Sequence, residues 1–375
     1  MKWLFWASVA VLAYTYFGYA GWLWLRRRFR PRPVQVSAFA PSISIVMVVR
    51  NEAAVIDRKL RNLLTLKYPA EPCEIIVVSD ASTDATNEVL REASLDPRVR
   101  IILATQAHGK AAGLNQAIAI AHGEIIVFTD ARQMIEPDAL RLLADNFADC
   151  NVGCASGELM MGDPDSGEVV RGMGLYWRVE KTIRELESAS GSVVGATGAL
   201  YAVRRNLLVP VPLGTILDDV YIPMHVVRQK VRVIFVPSAR AWDVAPQKTG
   251  HEFSRKVRTL SGNYQLVQLA PWLLSSKNPL RFEFISHKLL RLFAPFALTA
   301  VFIASMALAP AHSFYRIALA LQLVFYALSL LAMLKLAKGP LGRVADAAGT
   351  FVVLNSAALV AFVKFVTGRR VAWVR

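Results

Sequence analysis

The 375-residue sequence predicts an α/β domain of alternating strands and helices, flanked by apolar membrane helices at both ends of the chain. Hydrophobic residues make up 54% of the chain and charged residues only 19%, which is too apolar for one ordinary soluble domain. The longest apolar stretches lie near the two ends. Between them, short β-branched runs alternate with segments of helical spacing, a pattern typical of a parallel sheet with helices on both faces.

The N-terminal element is a predicted transmembrane helix. Residues 3–25 form an uncharged, aromatic-rich run long enough to span a bilayer, and Arg26, Arg27, Arg28 and Arg30 follow it. A cleaved signal peptide carries its charges before the apolar stretch instead. The positive-inside rule therefore predicts that residues 1–30 anchor the chain in the inner (plasma) membrane, with the N-terminus outside and the next domain in the cytoplasm.

Residues 42–264 are expected to form the α/β domain. β-branched runs predict strands over residues 43–49, 74–79, 99–103 and 125–129. Helical spacing predicts helices over residues 55–66, 83–93 and 111–121, with Thr83 and Asp84 as N-cap residues. Ligands of such sheets bind at the carboxyl ends of the strands, where Asp80 and Asp130 stand.

The remainder of the chain is predicted to lie at and in the membrane. Residues 265–288 are expected to form interfacial amphipathic segments, and residues 289–368 a C-terminal transmembrane region. The apolar stretches 292–311 and 317–334 are each long enough to span, but 347–363 is short and contains Asn355. Basic residues lie on both sides of that last stretch, so we expect it to be re-entrant, with both basic sets in the cytoplasm. They are Lys335, Lys338 and Arg343 before it and Lys364, Arg369, Arg370 and Arg375 after it.

The chain carries a formal net charge of +15. The basic clusters flank apolar segments, which favours anionic membrane lipid as their partner. No common nucleic-acid-binding motif is present, so nucleic acid is not an expected partner.

Three segments near strand ends contain side chains suited to a phosphorylated ligand. Asp80 can accept hydrogen bonds from a base or ribose, or it can simply cap the next turn. In the segment from His108 to Asn115, Gly109 permits close backbone approach and Lys110 supplies a positive charge for a diphosphate. Asp130 would repel a diphosphate unless a divalent cation lay between them; otherwise it caps a turn.

Two further motifs lie in the second half of the chain. Asp218 and Asp219 are adjacent carboxylates, and their mutual repulsion should raise the pKa of one of them, which suits a general base. Arg255 and Arg258 lie one turn apart on a predicted amphipathic helix. They can bind a pyrophosphate, or they can anchor the helix to lipid headgroups.

In this order, the motifs resemble glycosyltransferase family 2, the inverting enzymes of GT-A fold that include cellulose and hyaluronan synthases and bacterial exopolysaccharide enzymes. The resemblance runs from about Ser42 to Tyr264. It implies that Asp219, next to Asp218, is the catalytic base, and that Asp130 holds Mg²⁺ or Mn²⁺ as the first aspartate of the family's DxD motif. It also implies that Thr197, Gly198 and Ala199 lie beside the acceptor. The residues that it assigns to nucleotide-sugar binding are Asn51, Glu52, Asp80, His108, Lys110, Asn115, Asp130, Arg255 and Arg258.

The sequence departs from the family pattern at two motifs. Arg132 replaces the second DxD aspartate, and Arg255 and Thr259 replace the Gln and Trp of the family's QxxRW motif. The loss of that Trp argues against processive synthesis, because an aromatic face stacks on a sugar ring.

The resemblance implies an inverting glycosyltransferase that moves a sugar from a nucleoside-diphosphate sugar to a lipid-linked or glycan acceptor during surface or exopolysaccharide assembly. The alternatives are a processive polysaccharide synthase and a catalytically silent membrane scaffold of the same fold. Retention of Asp130 and Asp219 argues against the scaffold. A dinucleotide-dependent dehydrogenase is excluded, because no GxGxxG motif follows the first strand.

Overall fold

The structure is a computed structural model that describes residues 1–68, 73–162, 175–243 and 249–368. It contains eight strands in one sheet: β1 Ile43–Val49, β2 Cys73–Asp80, β3 Val99–Ala104, β4 Ile125–Thr129, β5 Met134–Ile135, β6 Val152–Met161, β7 Leu200–Arg204 and β8 Arg232–Asp243. The helices of the α/β domain are α3 Ala53–Leu64, α4 Thr86–Ala93, α5 Lys110–Ile120, α6 Ala139–Ala144, α7 Leu175–Ser190, α8 Asp218–Arg228 and α9 Thr249–Leu269.

The remaining helices are α1 Lys2–Ala13 and α2 Tyr19–Phe29 at the N-terminus, and α10 Arg281–Phe284, α11 Leu290–Leu308, α12 Ser313–Met333 and α13 Gly339–Val366 towards the C-terminus. Single π-helical turns join α1 to α2 and α10 to α11, at Tyr14–Gly18 and Ile285–Leu289.

The sheet is mixed rather than wholly parallel. Its strand order is β3-β2-β1-β4-β7-β6-β8-β5. The first four strands are parallel, as the sequence predicts, and every residue of the central strand β1 is buried. The prediction of a parallel sheet is wrong for the second half, because β7 runs antiparallel between β4 and β6, and β5 runs antiparallel to β8.

Helices cover both faces of the parallel half. Val46 and Val48 of β1 face α5, where they pack in one cluster with Leu114. The alternate residues of β1 face α3, where Ile56 and Leu60 are fully buried in a second cluster. Burial on both faces explains why the strand sequence is a continuous apolar run. The parallel pairing of β1 with β2 and with β4 places the carboxyl ends of these three strands at one edge of the sheet.

Two predicted helix boundaries shift by a few residues. Helix α4 begins at Thr86 rather than Thr83, because Ala85 takes the N-cap position and Asp84 Oδ1 accepts a hydrogen bond from the Thr86 N–H at 3.0 Å. Helix α9 continues past the expected domain boundary at residue 264. Its apolar face packs on α13, since Val257 lies in one cluster with Ala357 and Ala361.

Within the described part of the chain, four helical segments are long and apolar enough to cross a membrane: Lys2–Phe29, Arg281–Leu308, Ser313–Met333 and Gly339–Val366. The chain is thus a membrane protein with an α/β domain between its apolar segments. Residues 347–363 belong to one uninterrupted helix of 28 residues, and the expectation that they are re-entrant rather than spanning stays a prediction. Asn355 is a polar residue within this apolar stretch. Its side-chain amide donates to the Phe351 carbonyl at 2.9 Å and to the Tyr16 hydroxyl at 3.3 Å.

The contacts of α13 bear on its direction in the membrane. Arg26, at the far end of the first span, bonds Ser190 of the α/β domain, whereas Phe5 packs on Tyr315 at the start of α12. Helix α12 therefore runs back towards the α/β domain, and α13 begins on that side. Near the end of α13, Phe365 stacks on Tyr264 of α9 with ring centroids 5.0 Å apart. The later residues Arg369, Arg370 and Arg375 lie outside the described part of the chain.

Candidate active site

The carboxyl ends of β2 and β4 and the start of α8 converge on one side chain, Lys110. The Lys110 Nζ lies 3.1 Å from Asp130 Oδ1, which follows β4, and 3.3 Å from Asp218 Oδ2, which begins α8. Asp130 is half-exposed, with 43% of its side chain accessible, whereas the Asp218 side chain is 5% exposed. Three segments that are far apart in sequence therefore meet at one ammonium group.

The charge of this cluster favours a bound cation. Burial by itself lowers the pKa of Lys110, but Asp130, Asp218 and Asp219 outweigh it and hold the pKa well above the usual lysine value. One ammonium therefore faces three carboxyl groups. Among the described residues, Asp218 Oδ2 has no hydrogen-bond partner and makes only the ion pair with Lys110.

Asp80 organises the loop that carries Lys110. Its Oδ1 accepts a hydrogen bond from the His108 N–H at 2.8 Å, and its Oδ2 accepts one from the Gly109 N–H at 3.0 Å. Gly109 has a φ of 86°, and the turn it makes brings Lys110 to the first position of α5. His108 itself is exposed. The sequence expectation of a base- or ribose-binding Asp80 stays a prediction, but the contacts show that both of its oxygens hold the loop.

Asp219 lies against the segment expected to contact the acceptor. The Ala196 N–H donates to the Asp219 carbonyl at 2.6 Å, and a Cβ added to Gly198 would lie 3.2 Å from Asp219 Oδ2. Any larger residue than glycine would therefore press on this carboxylate. Burial, followed by the charge of Asp218, raises the pKa of Asp219 to about 6, against the lowering effects of Lys110 and Lys288.

Thr197 and Ala199, which flank Gly198 in that segment, are held by hydrogen bonds to residues of β6 and β4. The Thr197 N–H donates to Ser156 Oγ at 2.9 Å, and the Ala199 carbonyl accepts from Thr129 Oγ1 at 2.8 Å. Thr129 immediately precedes Asp130, so this last bond ties the segment beside Asp219 to the strand end that carries Asp130.

Asn51 and Glu52 form the turn after β1. Asn51 has a φ of 52°, and its Oδ1 accepts a hydrogen bond from the Thr83 N–H at 2.7 Å. Arg132, which stands in place of the second DxD aspartate, has its Nε 3.5 Å from Glu52 Oε2. The arginine thus pairs with the turn after β1 beside Asp130.

Two predicted site elements have different surroundings from those expected. The Asn115 amide exchanges two hydrogen bonds with the Val211 backbone, at 2.8 and 2.9 Å, so it holds the loop before α8 in place. Arg255 is exposed and Arg258 is half-buried on α9, and neither makes a hydrogen bond or ion pair within the described residues. Both arginines stay candidates for an anionic ligand.

Sequence reasoning missed Lys59. Its side chain is fully buried, and its Nζ donates to Thr129 Oγ1 at 2.9 Å and to the Gln133 carbonyl at 2.6 Å. Burial lowers the pKa of Lys59 to about 7, while the charge of Asp130 acts in the opposite direction. The available signal was a lysine on the apolar face of α3, between Ile56 and Leu63.

Arg184 of α7 was also missed. It donates to Thr197 Oγ1 and to Ser156 Oγ, and its guanidinium lies 4.8 Å from the centre of the Phe235 ring. It therefore braces the segment beside Asp219. The sequence offered no comparable signal, because Arg184 lies in a helix with several other charged residues.

The residues fit a divalent cation held partly by substrate. No group of three His, Cys, Asp or Glu side chains comes together as a metal cage among the described residues. Mg²⁺ does not need such a cage, since it is usually bound by one or two carboxylates together with substrate phosphates and water. The half-exposed Asp130 carboxylate suits this arrangement, and the surplus of negative charge around Lys110 favours it.

Comparisons with known proteins agree on one family. Residues 44–209 match the family described as glycosyl transferase family 2. The chain is 24% identical over 234 residues to the poly-beta-1,6-N-acetyl-D-glucosamine synthase of Staphylococcus aureus, covering 60% of this chain and 55% of that protein. It is 26% identical over 259 residues to the beta-monoglucosyldiacylglycerol synthase of a Nostoc species, covering 66% of this chain and 55% of that protein. The chain thus spans about half the length of these relatives.

Among solved structures, the chain is similar to the mannosyltransferase PcManGT from Pyrobaculum calidifontis, solved in complex with GDP-Man and Mn²⁺. The TM-score is 0.76 at 24% identity, and the likeness covers 98% of this chain and 100% of that one. At this identity the likeness concerns the fold, and it confirms the GT-A fold that the family resemblance implies.

Proposed function

This chain contains a glycosyltransferase family 2 domain, and we propose that it transfers a sugar from a nucleoside-diphosphate sugar to an acceptor hydroxyl with inversion at the anomeric carbon. The observation that carries the proposal is the meeting of Lys110, Asp130 and Asp218 beside Asp219. A positive charge suited to a diphosphate and a carboxyl group suited to a base lie within one site.

On the donor side, the loop held by Asp80 presents Lys110 and the N-terminus of α5. The Lys110 ammonium and the first backbone N–H groups of that helix attract the diphosphate and stabilise the negative charge that develops on it as the sugar leaves. Asp130 would hold Mg²⁺ or Mn²⁺ against the same diphosphate. Such a cation supplies further positive charge to the leaving group.

On the acceptor side, Asp219 accepts the proton of the attacking hydroxyl. The oxygen of that hydroxyl forms a bond to the anomeric carbon, and the bond from that carbon to the diphosphate oxygen breaks. Because attack comes from the face opposite the leaving group, the anomeric configuration inverts. A carboxyl group with a pKa of about 6 is ionised at neutral pH and is still basic enough to take a proton.

The membrane segments bear on where the acceptor lies. Arg26 of α2 pairs with Glu283 of α10, and it donates to Ser190 of α7 at 2.9 Å, so the first span is joined to the catalytic domain. The proposed setting is the cytoplasmic face of the inner membrane. There we propose a lipid-linked acceptor and the addition of one or a few sugars in surface or exopolysaccharide assembly.

Two relatives support an acceptor at a membrane or on a glycan. One relative is named for making a poly-N-acetylglucosamine and the other for making a monoglucosyldiacylglycerol. A processive polysaccharide synthase is the second candidate, favoured by the first of these names alone. Thr259 in the place of the QxxRW tryptophan argues against it.

The test is a donor screen on the full chain, purified in detergent and returned to lipid nanodiscs. UDP- and GDP-linked sugars are supplied with a polyprenyl-diphosphate glycan, nucleoside diphosphate release is measured, and the products are weighed by mass spectrometry. Release that depends on Asp219 and adds one to a few sugars supports the proposal. Long polymer made without a lipid acceptor would establish the synthase instead, and no release from any donor would favour a silent scaffold.

A further inference from the structure

The segment expected to lie beside the acceptor, residues 194–199, is held from helix α7 at two points. At its start, the Val194 N–H donates to Glu187 Oε2 at 3.2 Å. Further along, Thr197 Oγ1 accepts a hydrogen bond from Arg184. Arg184 and Glu187 lie one turn apart on α7, so one face of a single helix fixes both points of the acceptor segment.

The Arg184 guanidinium is itself held in one orientation. It donates to Ser156 Oγ at 3.0 Å, and the same oxygen accepts from the Thr197 N–H at 2.9 Å. Its central carbon lies 4.8 Å from the centre of the Phe235 ring. Arginine, hydroxyl and backbone thus form a closed set of hydrogen bonds around Thr197.

Arg184 also lies close enough to the catalytic carboxyl group to interact with its charge. Burial lowers the pKa of Arg184, and the charges of four carboxyl groups act in the opposite direction: Glu180, Glu187, Asp219 and Glu158. An arginine remains charged in proteins, so the hydrogen bonds that Arg184 donates are charge-assisted and stronger than those of a neutral group.

The acceptor segment in turn lies directly against Asp219. The Ala196 N–H donates to the Asp219 carbonyl at 2.6 Å. A Cβ added to Gly195 would lie 3.3 Å from that carbonyl oxygen, and one added to Gly198 would lie 3.2 Å from Asp219 Oδ2. Any displacement of Thr197 would therefore move the backbone that packs on the catalytic carboxyl group.

Helix α7 is fixed by both of the membrane segments that flank the catalytic domain. The Tyr19 hydroxyl of the first segment donates to Glu187 Oε1 at 2.6 Å. His287 of the second segment contacts Glu187 Oε1 at 2.8 Å and Glu180 Oε1 at 3.0 Å. Contacts therefore run from the membrane segments through α7 to the acceptor segment, whereas the donor loop is held separately by Asp80.

We propose that Arg184 is a positioning residue for sugar transfer: by holding Thr197, it sets the acceptor segment, and with it the acceptor hydroxyl, against Asp219. Arg184 acts through Thr197 rather than on the reacting atoms. Loss of its contacts should slow transfer without weakening donor binding, because the donor loop lies outside this chain of contacts. This inference rests on the proposed function, whose acceptor step it specifies.

The first experiment measures transfer to the polyprenyl-diphosphate glycan by the full chain in nanodiscs, with the donor that the screen identifies. In Arg184→Met, kcat should fall at least about tenfold while the KM for the donor stays within about twofold, since misplacement of reacting groups by about 1 Å can cost a hundredfold in rate. Arg178→Met removes an exposed arginine of the same helix and is the matched control. Equal losses in the two variants, or a loss explained by a raised donor KM, would contradict positioning.

The second experiment tests whether Arg184 acts through Thr197. Thr197→Val keeps the shape of the side chain but lacks the hydroxyl that accepts from Arg184. It should lower kcat about as much as Arg184→Met, and the double variant should lose no more than either alone, because changes that remove one shared contact are not additive. Thr197→Ser should restore most of the rate that is lost in Thr197→Val.

Two outcomes of that experiment would overturn the proposal. Losses that multiply in the double variant would show that Arg184 acts independently of Thr197, and a Thr197→Ser variant as slow as Thr197→Val would show that the hydroxyl is not what matters. Arg184→Lys takes the place of Arg184→Met in both experiments if the methionine variant fails to fold.

Hydrogen exchange separates failure of the positioning role from failure of the proposed function. Exchange of residues 194–200 is followed by mass spectrometry in nanodiscs, without any substrate. Four backbone N–H groups of this stretch have hydrogen-bond partners: Val194, Ala196, Thr197 and Leu200. Their exchange should be faster in Arg184→Met than in the native chain and in Arg178→Met. Faster exchange together with no transfer by the native chain would show that Arg184 orders the segment and that the proposed function is wrong. Unchanged exchange would overturn the positioning role even if turnover fell.

Discussion

Replacing Asp219 by Asn is the most direct test of the proposed chemistry. The amide keeps the shape of the side chain beside Gly198 but cannot take up the acceptor proton. Loss of a general base costs about a hundredfold to ten-thousandfold in rate, so the turnover number should fall at least about a hundredfold. The KM for the donor should barely change, because Lys110 and the loop held by Asp80 are untouched.

The pH profile of the native chain gives the same test without mutation. Asp219 acts as a base only when it is ionised, and its pKa is raised to about 6. Turnover should therefore be level above about pH 7 and fall about tenfold for each pH unit below 6. Initial rates of nucleoside diphosphate release between pH 5 and 8 measure this, with enzyme returned to pH 7.5 to exclude denaturation.

Asp218→Asn is the matched control. It removes the neighbouring charge that helps to raise the pKa of Asp219, so the acid limb of the profile should move to lower pH while turnover continues. It also removes one partner of Lys110, which should alter the KM for the donor. If Asp218→Asn abolished turnover and Asp219→Asn did not, the roles of the two carboxylates would be exchanged.

Three further predictions concern the metal, the buried lysine and the membrane topology. EDTA should stop turnover, and Mg²⁺ or Mn²⁺ should restore it in the native chain but not in Asp130→Ala; full activity in EDTA would show that no cation is needed. Because burial lowers the pKa of Lys59 from 10.5 to about 7, the native chain should gain stability as the pH rises from 7 to 10, and Lys59→Met should lack this gain. Melting temperatures of the two proteins across that range measure it, and parallel curves would refute it. Since Phe365 stacks on Tyr264, a single cysteine introduced after Thr367 should be labelled only from the side of the catalytic domain; labelling from the opposite side would show that α13 crosses the membrane.

The parallel half of the fold was predictable because local pattern and tertiary environment agree there. The strand β1 is apolar throughout since both of its faces are buried, and the sequence prediction of residues 43–49 matches its bounds. The second half gave no such pattern. Strand β6 contains glycine and serine, and β8 contains Pro237 and pairs with β6 through register shifts, so their partners depend on contacts that local sequence does not specify.

The candidate site likewise contains residues that the sequence could place and residues whose contacts it could not predict. Asp80, Lys110 and Asp130 could be placed because they follow strands whose carboxyl ends must meet. The contacts of Asn115 could not be predicted, because its partner Val211 is 96 residues away. Lys59 is similar, since its partner Thr129 is 70 residues away, and a charged residue on an apolar helix face has no evident role until that partner is known.

The arrangement of charge across the site links the catalytic chemistry to the membrane. Around Lys110 negative charge is in excess, which suits a divalent cation bound with the donor diphosphate. The positive charges of Lys110 and Lys288 both lower the pKa of Asp219, although burial and the charge of Asp218 outweigh them. A phosphate of the proposed lipid-linked acceptor near Lys288 would cancel part of that lowering and raise the pKa of Asp219, making it a stronger base when the acceptor is bound. The acid limb of the pH profile should therefore lie at higher pH with a saturating polyprenyl-diphosphate glycan than with a neutral glycan acceptor, and a limb at the same pH with both acceptors would show that the acceptor phosphate does not act on Asp219.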